Sequence, residues 1–475
     1  MRPALRTTAF ATALAAAGLS SLSWSVAAAG AVVPLGPPQP VGSIPVGRLF
    51  AGSGVVGLAR SSAGRIAMVW ATENAVSADR VLDVRTFDAQ GNAVAQATVP
   101  DEALASDPAV AIDDAGGFVV AWERGGVSGY EVVAQKFSAD GSAIGSLLQV
   151  GDVAVPNGGL VNNQLSTKLQ ASVAMDADGD FVVAWNADTL SEKTDGVSHL
   201  PPSWDCGYNH LICFYKDTLQ YKTYVRAYGA DGAPRGDATL VYQSEPFTLR
   251  HLTIYSPARP LAPRAAPGVA IDDAGDFVVS LDAPLARQDE IYAVRFNADG
   301  TGSQQTLVDS FPLRSWSGTV GSAGTHVAMD ASGDFAVLWG HFETHASGLP
   351  GPTPAPAPST LYAQRYSAAG TPLPTPISIP DTRTISRNFD HAAGIAMTAQ
   401  GDMCITWPGA EESTVNGQFY SADGHAEGQP LSVPVEPGVA TAMDRSGELA
   451  VAWPARSTSD ANIAYDLLLQ LFTAP

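Results

Sequence analysis

Apolar positions in this chain come in short blocks separated by polar turn residues, not at helical spacing. The stretch "VAMDADGDFVVAW" (Val173–Trp185) shows the form: a short apolar block, a polar break, then five residues with almost no polar side chain. The second block reads as a strand buried on both faces and the first as a shorter strand ahead of it. Asp accepts bonds from backbone N–H groups just beyond it, and Gly takes positive φ, so D-x-x-G predicts the tight turn of a β-hairpin. The phrase returns as "VAMDASGDFAVLW" at Val327–Trp339.

Aligned on the turn glycine, seven copies stand at Gly64, Gly116, Gly179, Gly275, Gly333, Gly401 and Gly447. Six residues later comes Trp70, Trp122, Trp185, Trp339, Trp407 or Trp453, with Leu281 in the fourth copy. Five residues earlier every copy has alanine: Ala59, Ala111, Ala174, Ala270, Ala328, Ala396 and Ala442. Three residues earlier stands Asp113, Asp176, Asp272, Asp330 or Asp444, with Ser61 and Thr398 in the other two.

A third strand follows each hairpin, as in "EVVAQKF", "IYAVRF" and "LYAQRY". It closes in a second turn at Gly91, Gly141, Gly232, Gly300, Gly370 or Gly424, and a weaker fourth strand follows. Sheets that are apolar on both faces need a neighbour on either side, and radial stacking supplies it. The expectation is an all-β fold: a seven-bladed β-propeller of four-stranded antiparallel blades. The shared alanine belongs on the innermost strand, where blades crowd together. The seventh unit stops after its third strand at "LLLQLFTAP", while "PLGPPQPVGSIPVG" near the N-terminus has no hairpin before it. An N-terminal strand is therefore expected to complete the last blade and close the ring.

On these motifs the chain resembles secreted bacterial seven-bladed β-propeller proteins with D-x-x-G-x-hydrophobic-x-x-W … A-Q-R-F-x-A-D-G repeats. The resemblance spans nearly all of residues 34–475. It implies a fold and no activity, because such folds host enzymes, lectins and scaffolds alike. The hairpins are also similar to the Asp-box of sialidases, but the Asp-to-Gly spacing and the tryptophan position differ, so no sialidase activity is carried over.

Composition fits a large folded core, with 45% hydrophobic and 15% charged residues in a chain of 475. The first residues add an export signal. Arg2 and Arg6, an apolar stretch from Thr7 to Val26, and Ala27, Ala28 and Ala29 mark residues 1–29 as a leader and 30–475 as one domain. No other stretch offers the roughly 20 apolar residues of a spanning helix. A secreted protein, periplasmic or extracellular and without membrane insertion, is expected. Loss of two arginines with the leader takes the formal charge from −21 to −23. That field repels nucleic acid, which is not an expected partner. Cys206 and Cys213, in "CGYNHLIC", are expected to form a disulfide in an oxidising compartment; a metal pair is the rival, at the wrong spacing for C-x-x-C. Cys404 sits in an apolar strand pattern and reads as a buried hydrophobe.

In a four-stranded meander the tight turns share one end of the blade. The second connection and the link to the next blade share the other. The long insertions, 151–171, 186–223, 242–266, 309–325, 340–360 and 380–393, all fall in the second group, mostly over blades three to five. That face is the expected binding surface. Its candidates are aromatic and basic: Trp204, Tyr208, Arg250, His251, Arg264, Arg314 and Trp316. Such aromatics stack on sugars or pack into protein interfaces, and Arg matches carboxylate and sulfate. A satellite core and solvated arginines are the plain alternatives.

"HFETH" sets His341, Glu343 and His345 at alternate positions, which share a face if the strand stays extended. Two imidazoles and a carboxylate suit zinc or a similar ion, the one cofactor in view; solvated histidines are the alternative. "DADGD" lacks the spacing and distal Glu of a calcium loop and reads as a turn device. No nucleophile elbow, phosphate loop or dinucleotide fingerprint occurs. Three readings remain open. One is a secreted non-catalytic binding or scaffold propeller, taking an anionic glycan or a protein on the long-loop face. The second is an extracellular polysaccharide hydrolase or lyase. The third is a structural envelope or matrix component.

Overall fold

The computed structural model describes residues 32–50, 56–74, 76, 80–100, 108–126, 129–154, 171–187, 189–194, 213–253, 265–284, 288–302, 304–312, 319–344, 360–374, 376–379, 393–409, 414–435, 438–457 and 462–473. Among them every helix or strand is a strand. The first described strands are β1 (Gln39–Pro45) and β2 (Arg48–Phe50). Blade 1 is β3 (Val56–Arg60), β4 (Ile66–Asn74), β5 (Arg80–Phe87) and β6 (Ala93–Pro100). Blade 2 is β7 (Ala109–Ile112), β8 (Phe118–Gly126), β9 (Gly129–Phe137) and β10 (Ala143–Ala154). Blade 3 opens with β11 (Ala171–Met175) and β12 (Phe181–Asn186). Next come β13 (Thr189–Thr194) and β14 (Cys213–Gln220), then the blade's own β15 (Lys222–Tyr228) and β16 (Thr239–Gln243), then β17 (Phe247–Thr253). Blade 4 is β18 (Gly268–Ile271), β19 (Phe277–Pro284), β20 (Gln288–Phe296) and β21 (Gln304–Pro312). Blade 5 is β22 (Thr319–Met329), β23 (Phe335–Thr344), β24 (Thr360–Tyr366) and β25 (Ile377–Ile379). Blade 6 is β26 (Gly394–Met397), β27 (Met403–Pro408), β28 (Thr414–Tyr420) and β29 (Ala426–Pro434). Blade 7 is β30 (Ala440–Met443), β31 (Leu449–Arg456) and β32 (Ile463–Phe472), completed by β1.

The expected closure is present. β1 runs antiparallel to β32, with Gln39 opposite Leu469 and Pro45 opposite Ile463. The innermost strands β3, β7, β11, β18, β22, β26 and β30 touch in succession, and β30 returns to β3. The shared alanines lie on these strands, as the crowding argument requires. Second strands are buried on both faces: Phe118, Val119, Val120 and Ala121 of β8 are fully buried. Each blade is thus a filling between two others, and their facing side chains form the core. Five outer strands carry a β-bulge whose extra residue is valine: Val41, Val94, Val150, Val241 and Val308. Val150 is almost wholly buried. Beside it the Trp185 indole of the next blade lies 2.4 Å from where a β-carbon on Gly151 would stand.

The tight turns explain the recurring Asp. Asp176 Oδ1 accepts the amides of Asp178 and Asp180, each at 3.0 Å. Asp272, Asp330 and Asp444 repeat the pattern, and the Thr398 hydroxyl takes the same two positions in blade 6. The seven turn glycines have φ between 81° and 95°, where a β-carbon is disfavoured. The calcium-like "DADGD" is therefore a turn device, as expected. A second Asp, just after the glycine, ties the two turns of one blade together: Asp180, Asp276, Asp334 and Asp402 accept the amides of Ala230, Ala298, Ala368 and Ala422.

Cations link blade to blade at the same end, Lys136 and Arg365 buried and Arg295 half-buried. Lys136 of blade 2 donates to the Gly179 carbonyl of blade 3 at 2.8 Å. The guanidinium of Arg295 lies 2.8 Å from the missing β-carbon of Gly333, and that of Arg365 lies 2.6 Å from that of Gly401, each in the next blade. The glycines thus serve twice, for the turn and for the cation that crosses above it.

Candidate functional site

On the axis, the last residue of each innermost strand forms a collar: Arg60, Ile112, Met175, Ile271, Met329, Met397 and Met443. It surrounds a cavity of about 140 Å³ that Ser61, Asp114, Asp176 and Arg445 also line. Arg60 is completely buried and pairs with Asp444 at 2.9 Å and Glu448 at 2.6 Å. Arg445 reaches across the ring to Asp273 at 2.5 Å. Asp114 accepts Ser62 Oγ at 2.5 Å and the Ala63 amide at 2.7 Å. Although burial opposes ionisation, these bonds and the nearby Arg445 hold its carboxyl below the usual range. These pairs knit blades 1, 2, 4 and 7 together, which is a structural role for the axial charges.

The long-loop end of blade 3 differs from the other blades. Two insertions expected as loops, 186–223 and 242–266, contribute strands. Beyond Asn186, Tyr221 and Gln243 the second, third and fourth strands of the blade each break and resume. The resumed pieces form a separate three-stranded sheet in the order β13-β14-β17. This tier stands on a polar waist. Ser244 exchanges bonds with Tyr221 through both backbone and hydroxyl, the Asn186 amide donates to the Ala265 carbonyl at 2.7 Å, and Thr223 Oγ1 donates to Asn186 Oδ1 at 2.9 Å. Asn186, Thr223 and Ser244 are buried.

Register fixes which tier residues share a face. Lys216 stands opposite Lys193 on one side and Arg250 on the other. Two positions along, Thr218 stands opposite Ser191 and Thr248. Residues two apart on a strand share a face, so a row of three cations and a row of three hydroxyl residues belong to the same face. Glu192 and Asp217, opposite each other, fall one position off and belong to the other face. In the register, the Lys193, Lys216 and Arg250 positions thus alternate with those of Glu192 and Asp217, and His251, opposite Tyr215, falls with the acidic set.

Of the residues expected from sequence, Arg250 and His251 fall on β17, His251 opposite Tyr215. Trp204, Tyr208, Arg264, Arg314 and Trp316 lie outside the described residues. So does Cys206; Cys213 opens β14, and no disulfide occurs among the described residues. His341 and Glu343 hold alternate positions on β23, opposite Ser322 and Val320, while His345 lies outside the described residues. No group of three or more His, Cys, Asp or Glu side chains gathers to hold a metal among the described residues. Cys404 is buried, and burial pushes its thiol up to about 12. Lys193 and Lys216 were missed by sequence reasoning. Their signal was the alternation in "TLSEKT" and "CFYKDTLQ", which reads as strand once the repeat template is set aside.

No family model matches the chain, and no curated protein does. Solved structures do. The polysaccharide lyase Uly1 is 9% identical over 89% of this chain and 90% of its own, with a TM-score of 0.48. The β-propeller domain of the trilobed protease from Pyrococcus furiosus is 12% identical over 89% of this chain and 94% of its own, with a TM-score of 0.36. An ulvan lyase of family PL25 is 10% identical over 74% of this chain and 78% of its own, with a TM-score of 0.35. At such identities the likeness concerns the fold alone.

Proposed function

We propose that this is an exported, non-catalytic binding propeller that holds an anionic glycan on the basic face of the blade 3 tier. The observation that carries the reading is the Lys193–Lys216–Arg250 row, segregated from Glu192 and Asp217 and flanked by the hydroxyl residues Ser191, Thr218 and Thr248. Cations in a row match the repeating carboxylates or sulfates of an acidic polysaccharide, and hydroxyls add bonds to the same oxygens. A leader at residues 1–29 would carry the protein to where such polymers are found, which supports the reading. The strongly negative chain disfavours other polyanions and leaves this face as a local exception.

The test is binding of the leader-free protein to sulfated and uronate polysaccharides at low and moderate salt. Binding is expected to weaken with salt and to fall by about tenfold or more in Lys216→Ala, since one charge-assisted contact is worth about 1.5–3 kcal/mol. Asp217→Asn, on the opposite face, is expected to leave it unchanged. Equal loss in both variants, or none in either, overturns the reading. N-terminal sequencing of the exported protein tests the leader.

A further inference from the structure

We propose that the rim groove between blades 4 and 5 binds a neutral saccharide chain. The groove encloses about 480 Å³ and is lined by Leu307, Asp309, Trp339, Tyr362, Gln364 and Ile377 among others. It exists because the outer strand of blade 5, β25, has three residues where β21 and β29 have nine each. Pro376 immediately precedes that short strand and lacks the N–H group that would extend its pairing, while Pro372 makes an isolated bridge to Tyr366. At the matching place in blade 3 the indole of Trp185 is closely roofed by Gly151, whereas Trp339 opens onto the groove.

The lining has the chemistry of a sugar site. Trp339, buried in the core, stacks with the half-buried Tyr362 with centroids 5.8 Å apart and planes at 23°, which fixes the Tyr362 ring at the groove for the C–H face of a pyranose. The Asp309 carboxylate accepts the Trp339 Nε1–H at 2.9 Å and the Ser310 amide at 2.8 Å, which fixes it at the groove. The Gln364 amide donates to the Arg365 and Leu373 carbonyls, both at 2.8 Å, so its carbonyl oxygen is set as an acceptor. Burial and then the charge of Asp309 push the Tyr366 phenol up to about 12, so it remains a protonated donor. Among the described residues no Lys or Arg lines the groove, and one carboxylate does. That set accepts hydroxyl protons and repels polyanions. Its charge preference is opposite to that of the blade 3 tier, and it rests on different residues.

The test is calorimetric titration of the full chain with neutral hexasaccharides of β-1,4-glucan, β-1,3-glucan, β-1,4-mannan and α-1,4-glucan, and with a proline-rich peptide. At least one hexasaccharide is expected to bind with an affinity that salt does not change. Tyr362→Ala is expected to weaken it about tenfold, the worth of one aromatic contact. Leu307 is 52% exposed at the rim, so Leu307→Trp fills the groove from outside the core and is expected to abolish binding. Lys216→Ala is expected to leave it intact, which separates this proposal from the tier reading. Failure of every hexasaccharide, binding that survives Leu307→Trp, or binding of the peptide alone overturns the proposal.

Discussion

Asp176 is buried in its turn, yet its carboxylate must stay there to cap two amides. Burial raises its pKa, and the neighbouring Asp180 charge adds to the rise; Asp113, Asp272 and Asp330 are raised for the same first cause. The folded chain therefore holds these protons more tightly than the unfolded chain. Each group adds stability as pH falls through its raised pKa and withdraws it as pH rises again. The exposed turn carboxylates Asp88, Asp140, Asp299 and Asp423 are lowered, and act in the opposite sense below the usual range. Asp176→Asn keeps an acceptor and removes the charge. Its stability relative to the wild type is expected to be highest near neutrality and to decline as pH falls toward about 4, the ordinary Asp range. Urea midpoints taken across that range check it; a relative stability that rises on acidification would show that the carboxylate is stabilised by its partners.

Among the elements, the blade 3 tier is the least like its neighbours and the most dependent on a few bonds. Asn186 joins it to the Ala265 carbonyl and to Thr223, all below solvent. Asn186→Ala is expected to cost about 1–3 kcal/mol, because buried partners are left unmade. Hydrogen exchange is expected to quicken in β13 and β14 and to stay slow in β8, since local opening need not spread. Equal quickening in β8 would mean that tier and ring open as one. The tier also marks the limit of what the sequence made legible. Blade strands, turns and closure could be read because a seven-fold repeat averages out local ambiguity, and "D-x-x-G" at Gly179 is supported by four parallel cases, with Ser61 and Thr398 in the other two. "TLSEKT" and "CFYKDTLQ" have no such parallels. Their pairing is set by a partner strand, Phe247–Thr253, that lies about 30 residues downstream of β14, and register of that kind is fixed in space, not by local propensity. Thus Arg250 was visible as a cation, but not its two companions. The rim groove was hidden for the same reason, because Asp309 and Tyr362 meet only when blades stack.

For the whole molecule, the collar carries one break in its symmetry. Six positions are apolar, and the seventh is Arg60, whose two acidic partners belong to blade 7. It marks the seam between first and last blades with a buried charge set that the other interfaces replace by methionine or isoleucine. Arg60→Met matches the collar in shape but strands Asp444, which is 4% exposed, so a loss of about 3–5 kcal/mol is expected. Arg60→Met combined with Asp444→Asn is expected to recover much of it, and denaturant titration of the pair distinguishes charge from packing. The same seam governs how the ring responds to force. The end of β1 nearest the start of the chain lies beside the end of β32 nearest its finish, where Pro34 bridges Phe472. A pull applied through both ends would open this strand pair like a zip, one rung after another, without loading all its rungs at once. The closed ring would then yield to modest tension, and it would yield first at blade 7.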